Sequence, residues 1–292
     1  MTTAAAPAPS RIKARRTRFD LTGTPNEWVP GDLQSTHTID SLHVALPPGE
    51  RWFCDVFRDA LPMITDDRLR EDVRGFIGQE ATHAKAHDLG LEHLARHGID
   101  LRREVAWADR TRARLRARGK RLPAGLQRRL LRNELAAIAT IEHYTAVLGE
   151  WIVEAELPDA DPQMLDLLRW HGAEEMEHRS VAFDLYLHLD GSYARRAVHG
   201  VVASVGLLLG LLAISARIMA LDPAAKGNLR YRRYRAAVRA GRFPALGAVV
   251  ASLRDYLRRD YHPSRYGSSD AALAYLAVSP GVAARARPPD PG

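Results

Sequence analysis

The pattern of apolar residues predicts four long helices in the first two thirds of the chain. Apolar side chains recur three and four residues apart, which places them on one face of a helix. Residues that end helices follow three of these stretches, namely Gly98, Pro158 and Gly191. The predicted helices cover residues 49–61, 66–97, 125–156 and 162–189.

Alternation of polar and apolar residues, the signature of a strand, is nearly absent. Residues 36–46 show some alternation, which stops at Pro47 and Pro48. Because one short strand cannot form a stable sheet alone, the sequence predicts an all-α fold. We expect residues 1–45 to form an N-terminal arm that is partly disordered, and residues 281–292 to form a disordered tail.

An apolar segment of a different kind follows the fourth predicted helix. Residues 200–216 contain no charged side chain and are flanked by Arg196 and Arg217. A membrane-spanning helix needs about 20 apolar residues, with a range of about 17 to 25, so this segment lies at the lower limit. Two interpretations stay open: contact with a membrane, or a place within the protein as a buried helix or as an apolar wall beside the active site. We assign residues 193–280 to an appendage made of this apolar helix and a basic helical region.

The net charge of +7 matters because it is unevenly distributed. Residues 226–265 are rich in Arg, and such a cluster attracts anionic lipid or acidic partners when it is not simply a solvated surface. The chain carries no nucleic-acid-binding motif, so we expect no nucleic acid partner. The single cysteine, Cys54, excludes a disulfide framework. We therefore expect a cytoplasmic protein, either alone, as a homodimer, or at the inner membrane surface through residues 200–216 and 226–265.

Two of the predicted helices carry the same four-residue pattern. Glu80 and His83 are three residues apart in the second helix, as are Glu175 and His178 in the fourth. Residues three apart lie on one face of a helix, so a carboxylate and an imidazole can bind one metal ion together. One such match arises easily by chance, and it is the pair of matches in helical context that indicates a metal site.

Each pattern is preceded by a glutamate on the previous helix. Glu50 precedes Glu80, and Glu142 precedes Glu175, by similar distances along the chain. One Glu from each of two helices and one Glu-x-x-His from each of two others is the ligand set of dinuclear carboxylate bundles. The sequence therefore predicts a ferritin-like four-helix bundle over residues 46–192 that binds two metal ions. Mixed oxygen and nitrogen ligands suit iron, with manganese and zinc as alternatives.

Some positions near these ligands have two interpretations. Glu174 lies one helical turn before His178 and therefore competes with Glu175 for the ligand position. His87 and His171, each one turn from a predicted ligand, are candidates either for direct ligation or for a hydrogen bond that orients a ligand.

Several stretches around these residues form recognisable motifs: PPGERWF at 47–53, QEATH at 79–83, IEHYT at 141–145, WHGAEEMEH at 170–178 and YLRRDYHP at 256–263. They resemble the bacterial family labelled "predicted metal-dependent hydrolase", over about residues 19–265. The resemblance implies a metal enzyme of ferritin-like type. The hydrolase label comes with the family and specifies no substrate.

Three functions stay open from the sequence. The ligand set favours a di-iron, dioxygen-activating oxidoreductase acting on a small, largely apolar organic substrate, because carboxylates can shift between bridging and terminal binding and an apolar pocket protects the oxidant. The alternative is a metal-dependent hydrolase in which two metals activate water. The third is a metal-binding bundle without enzymatic activity. The sequence indicates no catalytic residue beyond the metal ligands.

Overall fold

The computed structural model describes residues 12–225 and 229–286, and within these ranges the regular structure is entirely helical. The prediction of an all-α fold is therefore confirmed. The helices are α1 (Leu33–Ala60), α2 (Asp67–Arg96), α3 (Arg102–Gly119), α4 (Ala124–Glu154), α5 (Pro162–His178), α6 (Val181–Leu189), α7 (Tyr193–Leu221), α8 (Tyr231–Arg239), α9 (Leu246–Tyr256), α10 (Asp270–Val278) and α11 (Pro280–Ala286).

Helix α1 is more than twice as long as the sequence predicts. Asp32 caps its N-terminus by accepting a hydrogen bond from a backbone N–H of the first turn, and the helix continues through Pro47 and Pro48. Residues 36–46, which alternate in polarity, are therefore helical. The apolar pattern misleads here because the buried face of this stretch is largely polar. Its buried polar residues are Thr36, His37, Asp40, Ser41 and His43.

The segment that precedes α1 is packed against the helices. Phe19, Leu21 and Trp28 are all buried, and the Nε1–H of Trp28 donates to Asp40 at 2.8 Å. Residues 12–32 therefore form an ordered strap, where the sequence indicates an arm. The expected disorder of residues 1–11 lies outside the described part of the chain.

A turn at Arg179 and Ser180 divides the fourth predicted helix into α5 and α6. The Arg179 guanidinium donates at 2.6 Å to the carbonyl of Met176, a group that an uninterrupted helix would pair with a backbone N–H four residues on. A side chain thus satisfies the helix end at the turn. The basic stretch 101–121, which reads as a connection in the sequence, contains helix α3.

Four helices surround one buried polar cluster. Helix α1 packs along α2, helix α4 packs along α5, and α6 packs against both α2 and α4. The rings of Phe57 and Phe76 stack at 4.5 Å between α1 and α2. Helices α4 and α5 approach most closely where Gly149 faces Gly172, since a Cβ on Gly149 would lie 2.5 Å from the Gly172 carbonyl oxygen. The ferritin-like type of this arrangement stays a prediction.

Helix α7 packs against α1 and α4, the helices that carry Glu50 and Glu142. It is long and apolar enough to cross a membrane, by length and composition alone, and little of its apolar part is buried. Val202 and Leu209 are 63% and 60% exposed. The interpretation of residues 200–216 as a buried helix is therefore wrong, because only one side of the helix contacts the rest of the fold.

The C-terminal region returns to the helices of the cluster. Helix α10 packs against α5, and Gly281 in α11 donates its N–H to Asp166 of α5 at 2.7 Å. Residues 280–286 are helical for this reason, although the sequence indicates a disordered tail from residue 281. Residues 287–292 lie outside the described ranges, as do residues 226–228 of the basic region.

Candidate metal centre

The six predicted ligands converge on one cluster between the helices. Their exposed fractions range from 0% to 3%. A carboxylate buried to this degree is costly unless positive charge or hydrogen-bond donors compensate it. Helix α1 contributes Glu50, α2 contributes Glu80 and His83, α4 contributes Glu142, and α5 contributes Glu175 and His178.

The atoms that could bind metal form two groups, and the number of ions stays a prediction. In each group one oxygen or nitrogen atom per residue lies within 4.8 Å of the corresponding atoms of the others. Groups of three or four Glu and His side chains at this spacing can each hold one divalent ion. The first group contains Glu50, His83 and His171, and the second contains Glu80, Glu142, Glu175 and His178.

Two glutamates lie between the groups, within reach of both histidine ligands. Nδ1 of His83 is 3.6 Å from a carboxylate oxygen of Glu80 and 3.3 Å from one of Glu175. Nε2 of His178 is 3.3 Å from each of the same two side chains. Glu80 and Glu175 are therefore suited to bridge two ions, while Glu142, at 3.2 Å from His178, belongs to one side.

Seven atoms of this cluster have no hydrogen-bond partner within the described residues. They are both carboxylate oxygens of Glu50, Glu80 and Glu142, and Nδ1 of His83. Buried polar atoms are nearly always satisfied, so a concentration of unsatisfied acceptors calls for a missing donor or cation. Divalent metal ions would satisfy these atoms and offset the charge of the carboxylates at once, and we conclude that the residues fit a metal site.

The pKa values of the cluster reflect the same lack of positive charge. Burial and the neighbouring carboxylates raise the pKa of Glu142 to about 8 and raise that of Glu50 well above its ordinary value. Burial alone would lower the pKa values of His83 and His178, but hydrogen bonds and charge from the adjacent glutamates raise both well above the usual range. The charged form of these carboxylates therefore needs added positive charge, which metal ions would supply.

Each histidine ligand is oriented by a hydrogen bond on the far side of its ring. Nε2 of His83 lies 2.9 Å from Glu174, which leaves Nδ1 facing the carboxylates. Nδ1 of His178 lies 2.9 Å from the side-chain oxygen of Gln79, which leaves Nε2 facing them. Such outer hydrogen bonds fix the tautomer and direction of a metal-binding imidazole. Glu174 therefore stands behind His83, while Glu175 faces the cluster.

Further hydrogen bonds, which the sequence does not predict, connect Glu174 and Gln79. Arg15, in the strap before α1, donates to Glu174 at 2.9 Å and to Glu177 at 2.7 Å. Gln79 also donates to Glu177, at 2.7 Å. Gln79 could have been found from its position one helical turn before His83 on the same face. Nothing in the pattern around Arg15 distinguishes it from the other basic residues of its segment.

A row of three histidines leads away from the cluster. His171 contacts Glu175 at 2.8 Å through Nε2 and His87 at 2.5 Å through Nδ1. His87 in turn contacts His43 at 2.8 Å. Burial lowers the pKa of all three imidazoles, to about 4 for His43. Of the two histidines with open roles, His171 lies at the cluster and His87 lies one residue farther out.

Apolar and aromatic side chains enclose the ligands. Trp170 meets the His83 ring edge-on at 5.0 Å, and Phe76 meets the His178 ring at 4.7 Å. A cavity of about 180 Å³ lies behind the second group, between α4, α5 and the segment around Tyr261. It is lined by His143 and Met176, the chain neighbours of Glu142 and Glu175, and by none of the six ligands themselves.

Comparison with known proteins bears directly on this centre. No curated protein and no solved structure matches the chain. The model of one family matches residues 13–267, a range that contains every residue of the two metal groups. The protein therefore belongs to the family described as predicted metal-dependent hydrolases.

Proposed function

We propose that this protein is a hydrolase whose buried centre holds two divalent metal ions. The observation that carries the proposal is the set of unsatisfied carboxylate oxygens on Glu50, Glu80 and Glu142, gathered beside two oriented histidines. Membership of the metal-dependent hydrolase family supports hydrolysis as the reaction type. Two metal ions at such a centre supply a water nucleophile at neutral pH and stabilise the leaving oxygen of the substrate.

The residues of the centre would divide the work between binding and orientation. Glu50, His83 and His171 would hold one ion, and Glu142 and His178 the other. Glu80 and Glu175, which lie near both His83 and His178, would contribute oxygen ligands. Glu174 and Gln79 would keep the two imidazoles aimed at the ions. The ferritin-like bundle predicted from the ligand pattern would make these positions rigid, because each ligand projects from a packed helix.

A small molecule is the substrate class that suits this centre. Aromatic rings pack on His83 and His178, and the six ligands are buried, so a polymer would have little access to the centre. The 180 Å³ cavity between α4 and α5 offers space for a few non-hydrogen atoms beside the second group. Arg179, Glu150 and Asp255 on its wall give it three charged groups that could fix the orientation of a polar substrate.

The proposal is tested by loading the purified protein separately with Zn²⁺, Mn²⁺ and Fe²⁺. Bound metal would be counted by elemental analysis, and turnover measured with small carboxylic and phosphate esters. We expect two ions per chain and metal-dependent hydrolysis that Glu142→Gln abolishes. Glu154→Gln, an exposed position on the same helix, is the matched control. Two bound ions without hydrolysis of any ester, under all three metals, would contradict the assignment.

A di-iron oxidoreductase is the second candidate, and the closure of the centre favours it. All six ligands are at most 3% exposed, and dioxygen enters such a site more readily than an ester does. A di-iron pair supplies the reduction of dioxygen, and the carboxylate-rich ligand set suits iron. Oxygen uptake by the Fe²⁺-loaded protein in the presence of a reductant, with no ester hydrolysis, would favour this candidate over the first.

A further inference from the structure

We infer that helix α7 and the basic helix after it form a surface that docks on an anionic lipid bilayer. This docking surface comprises an apolar stripe on α7 and the exposed arginines of α8. The inference is independent of the metal centre and of the reaction that takes place there. The exposed stripe consists of Val198, Val201, Val202, Val205, Leu208, Leu209 and Leu212.

The stripe is unusual for the surface of a folded domain. Its seven side chains are between 43% and 63% exposed, and their spacing of three and four residues keeps them on one side of the helix. From Val198 to Leu212 the stripe extends about 21 Å along the helix axis. Leu246 and Val250 on α9, which packs against α7, add two more exposed apolar side chains. An exposed apolar stripe of this kind marks a site of contact.

The contacts on the opposite side of α7 determine how this helix could bind a membrane. Gly200 and Ile218 are buried on this side, and buried Arg196 donates to the carbonyl of Arg258 at 2.7 Å. These contacts hold α7 against α1 and α4. A helix fixed along one side cannot cross a bilayer alone without losing those contacts. It can lie in the plane of the interface with its free side immersed, as amphipathic interfacial helices do.

The positive charge of α8 favours anionic lipid as the binding partner of this surface. On α8, Arg232, Arg233 and Arg235 are exposed, and none of them forms an ion pair with another described residue. Helix α8 begins beside the first turn of α1, where Gln34 accepts from the N–H of Arg230 at 2.9 Å. Helix α7 ends at the same place, since Asp222 contacts His37 of α1 at 2.7 Å. The arginines thus follow the apolar stripe at its C-terminal end.

Aromatic side chains accompany the arginines at that end. Tyr231 on α8 is 68% exposed, and Trp107 on α3 is 63% exposed. Trp107 lies one turn after Glu104, whose carboxylate is 3.8 Å from Arg217 near the end of α7. Exposed Tyr and Trp are favoured at the boundary between lipid headgroups and acyl chains. An apolar stripe with arginine and aromatic residues at its edge is the composition that binds an anionic interface.

A second copy of the chain is the competing occupant. Gly206 and Gly210 on α7 have open space where a Cβ would lie, which would permit close approach of another helix. However, each copy carries the same net charge of +7, so pairing through this surface brings like charges together. An anionic bilayer neutralises the same charges, and this difference favours lipid.

The test is flotation of the full-length protein with vesicles of phosphatidylcholine alone and of phosphatidylcholine mixed with phosphatidylglycerol. We expect binding to the anionic vesicles, weakened by high salt. The double variant V202D/L209D should abolish binding. The control V278D/L273D adds the same charge at exposed positions of α10, which packs on α5 away from α7, and should not abolish it. If V202D/L209D does not fold by circular dichroism, the milder V202S/L209S replaces it, with binding reduced.

A second set of variants separates the two parts of the surface. Replacing Arg232, Arg233 and Arg235 with Gln should weaken binding to anionic vesicles by about fivefold per residue, without affecting the fold. The inference is overturned if the wild-type protein ignores both vesicle types, or if V202D/L209D binds as the wild type does. It is also overturned if the protein binds no vesicles but forms a dimer that V202D/L209D dissociates, because the stripe would then be a subunit interface.

Discussion

His83 and Glu174 form a buried pair in which Nε2 of the ring lies 2.9 Å from a carboxylate oxygen. The contact is on the side of the ring opposite Nδ1, the atom that faces Glu80 and Glu175. Glu174 and Glu175 are neighbours in the chain, yet one supports a ligand from behind and the other faces both histidines. Because of this geometry, we expect the loss of Glu174 and the loss of Glu175 to have different effects.

We expect Glu174→Gln and Glu175→Gln to weaken metal binding in distinguishable ways. Without Glu174, His83 loses the acceptor that fixes its orientation, so affinity should fall by about 10- to 100-fold while two ions still bind at saturation. Without the Glu175 carboxylate, a shared ligand is lost and at least one ion should no longer bind. Competition titrations with a chromophoric chelator, together with elemental analysis, measure both quantities. Equal losses of stoichiometry in the two variants would show that Glu174 is itself a ligand.

Loss of either histidine ligand should remove metal and activity together. We expect His83→Ala and His178→Ala each to reduce bound metal to about one ion per chain or fewer, and to lower turnover by about 100-fold or more. The helices should persist, because the apolar packing of residues such as Phe57 and Leu135 is untouched. His188→Ala, at an exposed position on α6, is the control. Full metal content in both ligand variants would show that the ligand assignment is wrong.

The positions of these ligands were accessible from the sequence because they depend on local geometry. Residues three apart on a helix share a face, so Glu80 with His83 and Glu175 with His178 are predictable once the helices are. The sequence does not show which of Glu174 and Glu175 is the ligand, because both lie on the face of His178. Only the packing of α2 against α5 distinguishes their roles. Arg15 lies on an irregular strap, where no periodicity indicates which side chain reaches the centre.

The difference between local geometry and tertiary packing also explains where the predicted helices differ from the observed ones. In the part of α1 before Pro47, the buried side chains include Thr36, His37 and Asp40. Because these side chains are polar, the spacing of apolar residues does not indicate a helix there. The turn at Arg179 depends on a side-chain hydrogen bond to Met176, which sequence periodicity does not show. The exposure of α7 could not be inferred either, because an apolar run indicates a helix without saying what covers it.

The stability of the metal-free protein should fall as the pH rises. The pKa of Glu142 is raised to about 8, and those of Glu50, His83 and His178 are also raised. A group with a raised pKa in the folded state contributes stability below its unfolded pKa and loses that contribution as pH rises through the folded value. The lowered pKa values of Glu175 and of the buried histidines His43, His87 and His171 act in the opposite direction. Their effect ends near the ordinary histidine pKa of about 6.5, so the fall in stability is expected above about pH 7.

Thermal unfolding of chelator-treated and metal-loaded protein between about pH 7 and about pH 9 measures this effect. We expect the melting temperature of the metal-free protein to decrease over this range, most steeply near pH 8. Metal binding requires the same groups to lose their protons, so metal should stabilise the protein more as pH rises. Glu142→Gln removes one titrating group and should flatten the decrease. A metal-free melting temperature that rises between about pH 7 and about pH 9 would show that folding does not take up protons at these carboxyl groups.

The crossing of α4 and α5 at Gly149 and Gly172 should control the metal centre from a distance. A Cβ on Gly149 would lie 2.5 Å from the Gly172 carbonyl oxygen, closer than real Cβ contacts come. Gly149→Ala must therefore push the two helices apart. Overpacking of this kind costs about 1 to 3 kcal/mol of unfolding free energy. Glu142 lies two turns before Gly149 and Glu175 one turn after Gly172, so the distance between these ligands should increase as well.

We therefore expect Gly149→Ala to lower both stability and metal affinity, although it touches no ligand. Gly125→Ala, on the same helix but with open space around the new Cβ, should be neutral or slightly stabilising, since Ala favours a helix over Gly. Thermal unfolding and metal titration of the two variants test the prediction. A destabilised Gly149→Ala protein that keeps wild-type metal affinity would show that the centre tolerates separation of α4 and α5. The ligands would then be positioned by each helix separately, and the close glycine crossing would serve packing alone.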